Sequence, residues 1–265
     1  MAAPTFLGAS NGNTDAASPG VISMSGSPGS GLAGNVFIAQ VIQEGTTAGI
    51  SVNWANALDN YSDLAGTVDV ATFIGTFNIG SPATALMHLW IGRMRTENQG
   101  ADPAVTGYGS EDIYCRMYFF SNVSSGTSLA TVIENGTAGT ATGAAGTSAT
   151  IADVGVVTLG ADRLALNFVG GDDDNALDAF TGMSGGTWAE AVAEYADSAG
   201  TDAVLGLQTA AMASAGTING GTDGWADATD GWGVVGFALI GTTAAASFAP
   251  PPASHLRKTR HLQGR

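Results

Sequence analysis

Glycine divides this chain into short pieces. It supplies 39 of the 265 residues, about twice ordinary usage. Each interior glycine penalises a helix, and glycine clusters such as 25–31 (SGSPGSG) mark turns. What lies between them is a series of short apolar segments rich in β-branched and aromatic residues, the pattern of strands. Residues 21–25, 35–43, 50–54, 69–79, 84–95, 112–123, 151–159, 162–169, 203–212 and 233–240 read this way. Phe6 marks a short first strand or an extended arm. In 112–123 Tyr114, Arg116, Tyr118 and Phe120 share one face, with Ile113, Cys115, Met117 and Phe119 opposite. In 84–95 Leu86, His88, Trp90 and Gly92 share a side. Around 188–195, Trp188, Val192 and Tyr195 have near-helical spacing, so helix and strand compete there. The Gly/Thr/Ala stretch 135–148 is a loop or a pair of small-residue strands. Many short strands and few helices predict an all-β sandwich. No internal repeat is evident, which disfavours a solenoid or propeller.

Charge is divided as sharply as bulk. Before His255 the chain carries Arg93, Arg95, Arg116 and Arg163 against all 23 acidic residues, a formal −19. The last eleven residues carry Arg257, Lys258, Arg260 and Arg265, a formal +4. A basic end on an acidic body suits an acidic partner, another copy of the chain included. The Ala- and Pro-rich run 244–252 favours an extended linker. Three domains follow: an N-terminal arm with a candidate first strand (1–20), a sandwich (21–243), and a linker with a basic tail (244–265). Charged residues are only 12% of the chain, half the usual share, which favours a surface packed in an assembly.

Catalytic chemistry finds little purchase. There is no GxSxG, HExxH or P-loop pattern. His88 is the one histidine before the tail and sits among apolar neighbours, where a structural role is expected. The lone Cys115 permits no intrachain disulfide and reads as a buried small hydrophobe. The chain is therefore expected not to be an enzyme and to need no cofactor. Asp172, Asp173, Asp174 and Asp178, beside Asn175, are the candidate oxygen ligands for Ca²⁺. Their spacing is not that of an EF-hand, and a solvated acidic loop is the competing reading. Trp225 and Trp232 are the candidates for stacking on a glycan, against a role in capping the end of the core. For the tail, an assembly anchor through Arg257, Lys258, Arg260 and Arg265 competes with a solubility appendage and with nucleic acid, which the acidic body disfavours. No apolar run is long enough for a membrane-spanning helix, and no secretory leader pattern follows Met1.

Several short motifs carry a resemblance over about residues 3–242. Pro4, Phe6, Gly8 and Ala9 form a P-x-F-x-G-A opening. Gly34, Ala39 and Val41 stand in a G-x-x-x-x-A-x-V strand. An aromatic strand at 114–120, an RLALxFxG-type strand at 162–170, and Trp225 with Asp230 before the apolar strand 234–240 complete the order. This resembles the jelly-roll-like structural proteins of tailed bacteriophages, which serve as capsid decoration, head-fibre or tail-associated proteins. The resemblance implies a jelly-roll-like antiparallel sandwich with a C-terminal arm. It also implies a place on the virion surface, contacts with other virion proteins, and a symmetric homo-oligomer such as a trimer. A carbohydrate-binding module that recognises bacterial-surface glycan is the alternative of a different class.

Overall fold

The structure is a computed structural model. It describes residues 2–10, 13–15, 22–23, 33–46, 49–57, 60–95, 103–107, 112–134, 142–147, 150–152, 155–172, 180–198, 201–224 and 231–242. Ten principal strands build it. They are β1 (Thr5–Ala9), β2 (Val36–Glu44), β3 (Thr72–Ile79), β4 (Ala85–Met94), β5 (Ile113–Ser121), β6 (Thr142–Thr147), β7 (Arg163–Asp172), β8 (Thr187–Ser198), β9 (Thr201–Ala211) and β10 (Gly231–Ile240). The first five form one antiparallel sheet in the order β1-β5-β2-β4-β3, and the last five form a second in the order β6-β10-β7-β9-β8. Among the described residues the helical content is one turn at Leu129–Val132 and a 3-10 turn at Trp54–Ala57.

The two sheets lie face to face around one apolar layer. Val36, Ile38, Ile42, Met87, Leu89, Tyr118 and Phe120 from the first sheet meet Leu166, Phe168, Leu205, Leu207, Val235, Phe237 and Leu239 from the second. Phe168 is the hub, edge-on to Tyr118 at 5.5 Å and stacked on Phe237 at 5.6 Å between ring centroids. Each sheet also has a covered outer face. Phe37, Ala39, Val41, Cys115, Met117 and Phe119 pack beneath Trp54, Tyr61 and Val105. Ala165, Ala210 and Ala238 pack with Val156 and Ile218, which belong to the paired strands Val156–Thr158 and Gly216–Ile218. Burial on both faces explains why six of the nine β2 residues are apolar with no strict alternation.

The all-β sandwich matches the sequence expectation, and its jelly-roll refinement is corrected. Among the described residues no sheet closes into a barrel. The chain also finishes the first sheet at Ser121 before it begins the second, so the strands are not dealt between two sheets as a jelly roll requires. The segment 188–195 resolves as strand, laddered to β9 from Thr187↔Ala211 to Ser198↔Thr201. A ladder interrupted by a single bulge, between Glu190 and Val192, still pairs most of the backbone of both strands, which outweighs the helical spacing of three large side chains.

Backbones of the two sheets touch at one corner. Gly80 N–H donates to Trp232 O at 3.0 Å, and Gly233 faces the Asn78 carbonyl with no room for a Cβ. At the far end Thr242 N–H donates to Asn122 O at 2.9 Å and Ser124 N–H to Ile240 O at 2.7 Å. In the middle a polar bridge crosses the core. Tyr118 Oη donates to Gln40 Oε1 at 2.9 Å, and Gln40 Nε2 donates to Val169 O of the facing sheet at 2.9 Å. Gln40 is fully buried, so its amide is tolerated because both ends are bonded.

Candidate functional site

Strand direction sorts the charges. β2 ends at Glu44 beside Asp112, whose carbonyl accepts the Glu44 N–H at 2.9 Å. Asp15 pairs with Ile113 at the same end. In the second sheet β7 ends at Asp172, paired with Ala203 and Gly231, and the β8–β9 hairpin carries the Asp197↔Asp202 rung. The corner contact of Gly80 with Trp232 shows that these strand ends belong to one end of the sandwich. By sequence, 173–178 continues directly from Asp172 with three more aspartates, and Asp230 immediately precedes Gly231. No Lys or Arg of the body stands on this end.

The arginines gather at the opposite end. Arg93 and Arg95 close β4, and Arg163 opens β7. Arg93 Nη2 donates to the carbonyls of Ser124 at 2.7 Å and Gly126 at 2.9 Å, holding down the connection that leaves the first sheet. Burial lowers its pKa from the ordinary arginine value, and the side chain stays a cation because that value is so high. Arg163 pairs with Glu134 and, at 2.7 Å, with Asp162. Thr242, from which the chain runs on into the basic segment, is at this end too. Arg116 is mid-strand, its Nε bonded to Ser10 O at 2.8 Å.

Of the residues singled out from sequence, Arg257, Lys258, Arg260, Arg265, Trp225, Asp173, Asp174 and Asp178 lie outside the described residues. Asp172 is placed at the acidic end. Among the described residues no group of three or more His, Cys, Asp or Glu is arranged to hold a metal ion. Trp232 is 6% exposed, and its indole lies on the backbone of Gly146, its cross-strand partner, where a Cβ would stand 2.6 Å from Cζ2. Among the described residues the large aromatic that does reach solvent is Phe73, 47% exposed, with its ring 5.4 Å from Trp90. Sequence reading passed over it because an edge-strand phenylalanine looks like any other core residue. Among the described residues no helix is long and apolar enough to cross a membrane. A scan of the chain against protein-family models and a search of curated proteins matched none.

His88 is built into the sheet. It is buried on the outer face of β4, stacked on Trp90. Gln43 Oε1 lies 3.2 Å from Nε2 and can only accept, so Nε2 carries the proton. Nδ1 then accepts from Thr76 Oγ1 at 2.9 Å. Burial lowers the His88 pKa to about 4 from its ordinary 6.5. Between those values the unfolded chain binds more protons than the native one, so stability falls as pH drops from 6.5 to 4 and the loss levels off below. The full step is worth at most about 3 kcal/mol. Urea midpoints at pH 7 and pH 5 should show most of that loss. In His88→Gln the difference should shrink, and an unchanged difference would assign it to other groups.

Proposed function

We propose that the chain is a non-enzymatic structural protein that works by protein–protein contact, as a surface component of a tailed-phage particle. In this reading the C-terminal segment, with Arg257, Lys258, Arg260 and Arg265, anchors the body to an acidic partner surface. The observation that supports it is the polarity of charge along the strands: among the described residues, carboxylates without basic neighbours at one end and Arg93, Arg95 and Arg163 at the other, with the basic segment following in sequence from the arginine end. A particle component with few charged residues elsewhere is held by many neutral contacts, and the charges set its orientation. Arginine suits such an anchor because its planar fork binds carboxylates bidentately.

The test is deletion of 254–265 in the full-length protein. The body should keep its strand-dominated circular dichroism, because the pairings described for its two sheets are complete within residues 5–240. Incorporation into assembled particles at physiological salt should fall roughly tenfold or more, the equivalent of about 1.4 kcal/mol from several screened ion pairs. Raising salt should weaken the intact protein in the same direction. Equal incorporation of both forms would end the anchor reading.

A further inference from the structure

We infer that the body is two copies of one five-strand unit fused in tandem, and that the inner face of each unit is an interface whose partner is another copy of that unit. The strand orders are identical, β1-β5-β2-β4-β3 and β6-β10-β7-β9-β8. Shared order alone is weak, but the registers agree rung by rung. Laying 36–44 on 164–172 brings 85–93 onto 203–211 and 113–120 onto 232–239, with every cross-strand pair matched. The irregularities agree as well. β3 has a bulge between Phe73 and Gly75, opposite Trp90 and Leu89; β8 has one between Glu190 and Val192, opposite Gln208 and Leu207. Those are the same rungs under the same alignment. A bulge costs a ladder bond and bends its strand, so coincidence at one rung is not forced by the need to make a sandwich. The place beside β5 is shared by β1 and Asn13–Asp15, and the place beside β10 by Ile133–Glu134 and β6.

The side chains retain the correspondence where the units face each other. Val36, Ile38, Leu89, Tyr118 and Phe120 stand where Leu164, Leu166, Leu207, Phe237 and Leu239 stand in the second unit, and all ten share one apolar cluster. Contact between the units is that of a two-fold pair, in which one patch meets its own equivalent. Ile42 and Gly170 are equivalent positions, and they touch: a Cβ on Gly170 would lie 2.6 Å from Ile42 Cδ1. Two isoleucines there would collide and two glycines would leave a hole. One of each fills the space, which selects pairing between unlike units over pairing between like ones.

Equivalence predicts that the knob and the hole can trade places. In the full-length protein, Ile42→Gly alone should lower the urea midpoint by opening a cavity, and Gly170→Ile alone by overpacking. The double variant should recover more than half of their combined loss. Losses that simply add, or a double variant that unfolds where either single one folds, would overturn the inference. If neither single variant folds, Ile42→Val with Gly170→Ala makes the same cycle in smaller steps, because valine lacks the Cδ1 that an alanine methyl would meet; additivity there overturns it equally. A second measurement inserts a protease site between Gly126 and Thr127 of the full chain and cuts the folded protein. The pieces should stay together one to one, the unfolding midpoint should become dependent on protein concentration, and mixing the denatured pieces should restore the strand signal. Pieces that part at micromolar concentration or do not recover on mixing would show that the faces are not an association surface.

Discussion

Gly233→Val lowers stability by about 3 kcal/mol, the upper range for overpacking, which in a domain of this size moves the melting temperature down by about 6–12 °C. The reason is where Gly233 sits. It is on β10 at the corner where the backbones of the sheets touch, and an added Cβ would run into the Asn78 carbonyl oxygen while standing 3.2 Å from Ile79 Cγ1. A flexible side chain could swing aside, but a strand carbonyl cannot. Relief requires moving β10 away from β3, which strains the Gly80–Trp232 hydrogen bond. Gly216 gives the control, since nothing lies within 4 Å of a Cβ placed there; Gly216→Val should shift the urea midpoint little. Equal shifts for the two variants would show that the sheets are not in backbone contact at that corner.

Phe168→Ala is the second large effect, a loss of about 3–5 kcal/mol. Against a typical total of about 5–15 kcal/mol, that puts the protein close to its unfolding threshold. Phe168 is fully buried and its ring contacts Tyr118 from one sheet and Phe237 from the other. Truncation removes both ring contacts and leaves a void that the sheets cannot close. Backbone bonds of β7 to β9 and β10 hold its Cα in register, and the Gln40 bridge fixes the spacing to Val169. The same change at Phe73, half in water already, should cost far less. A midpoint for Phe168→Ala within experimental error of the parent would contradict the placement of this ring at the centre of the core.

How far the fold could be read from the residues depended on what each segment had to satisfy. Segments 35–43, 84–95 and 112–123 announce themselves as strands because β2, β4 and β5 are apolar on both faces. The small-residue β6 was less distinct, as its glycines carry little pattern of their own; Gly146 is there to receive the Trp232 ring. The pairing of sheets was not legible, since strand order and register are properties of partners far apart in sequence. For the same reason the proposed duplication leaves no visible repeat in the residues: Ala85, Leu89 and Met94 match Ala203, Leu207 and Met212, but His88 and Trp90 stand at the rungs that Gly206 and Gln208 occupy in the second unit. Hydrophobicity at the inner positions is retained while identity is lost. The charge division was plain in composition, whereas its alignment with strand direction emerged only once Glu44, Asp112 and Asp172 came together at one end.

Because the chain completes one sheet at Ser121 before the other starts, synthesis itself runs through an awkward interval. At ordinary translation rates of 5–20 residues per second, the ribosome needs roughly 6–24 s to add the strands up to Ile240. During that time the nascent first half holds Ile38, Met87, Leu89 and Phe120 with no covering layer. The polypeptide is then most open to capture by holdase chaperones or by neighbouring nascent chains on the same message, so slower translation of the second half should lower the soluble yield.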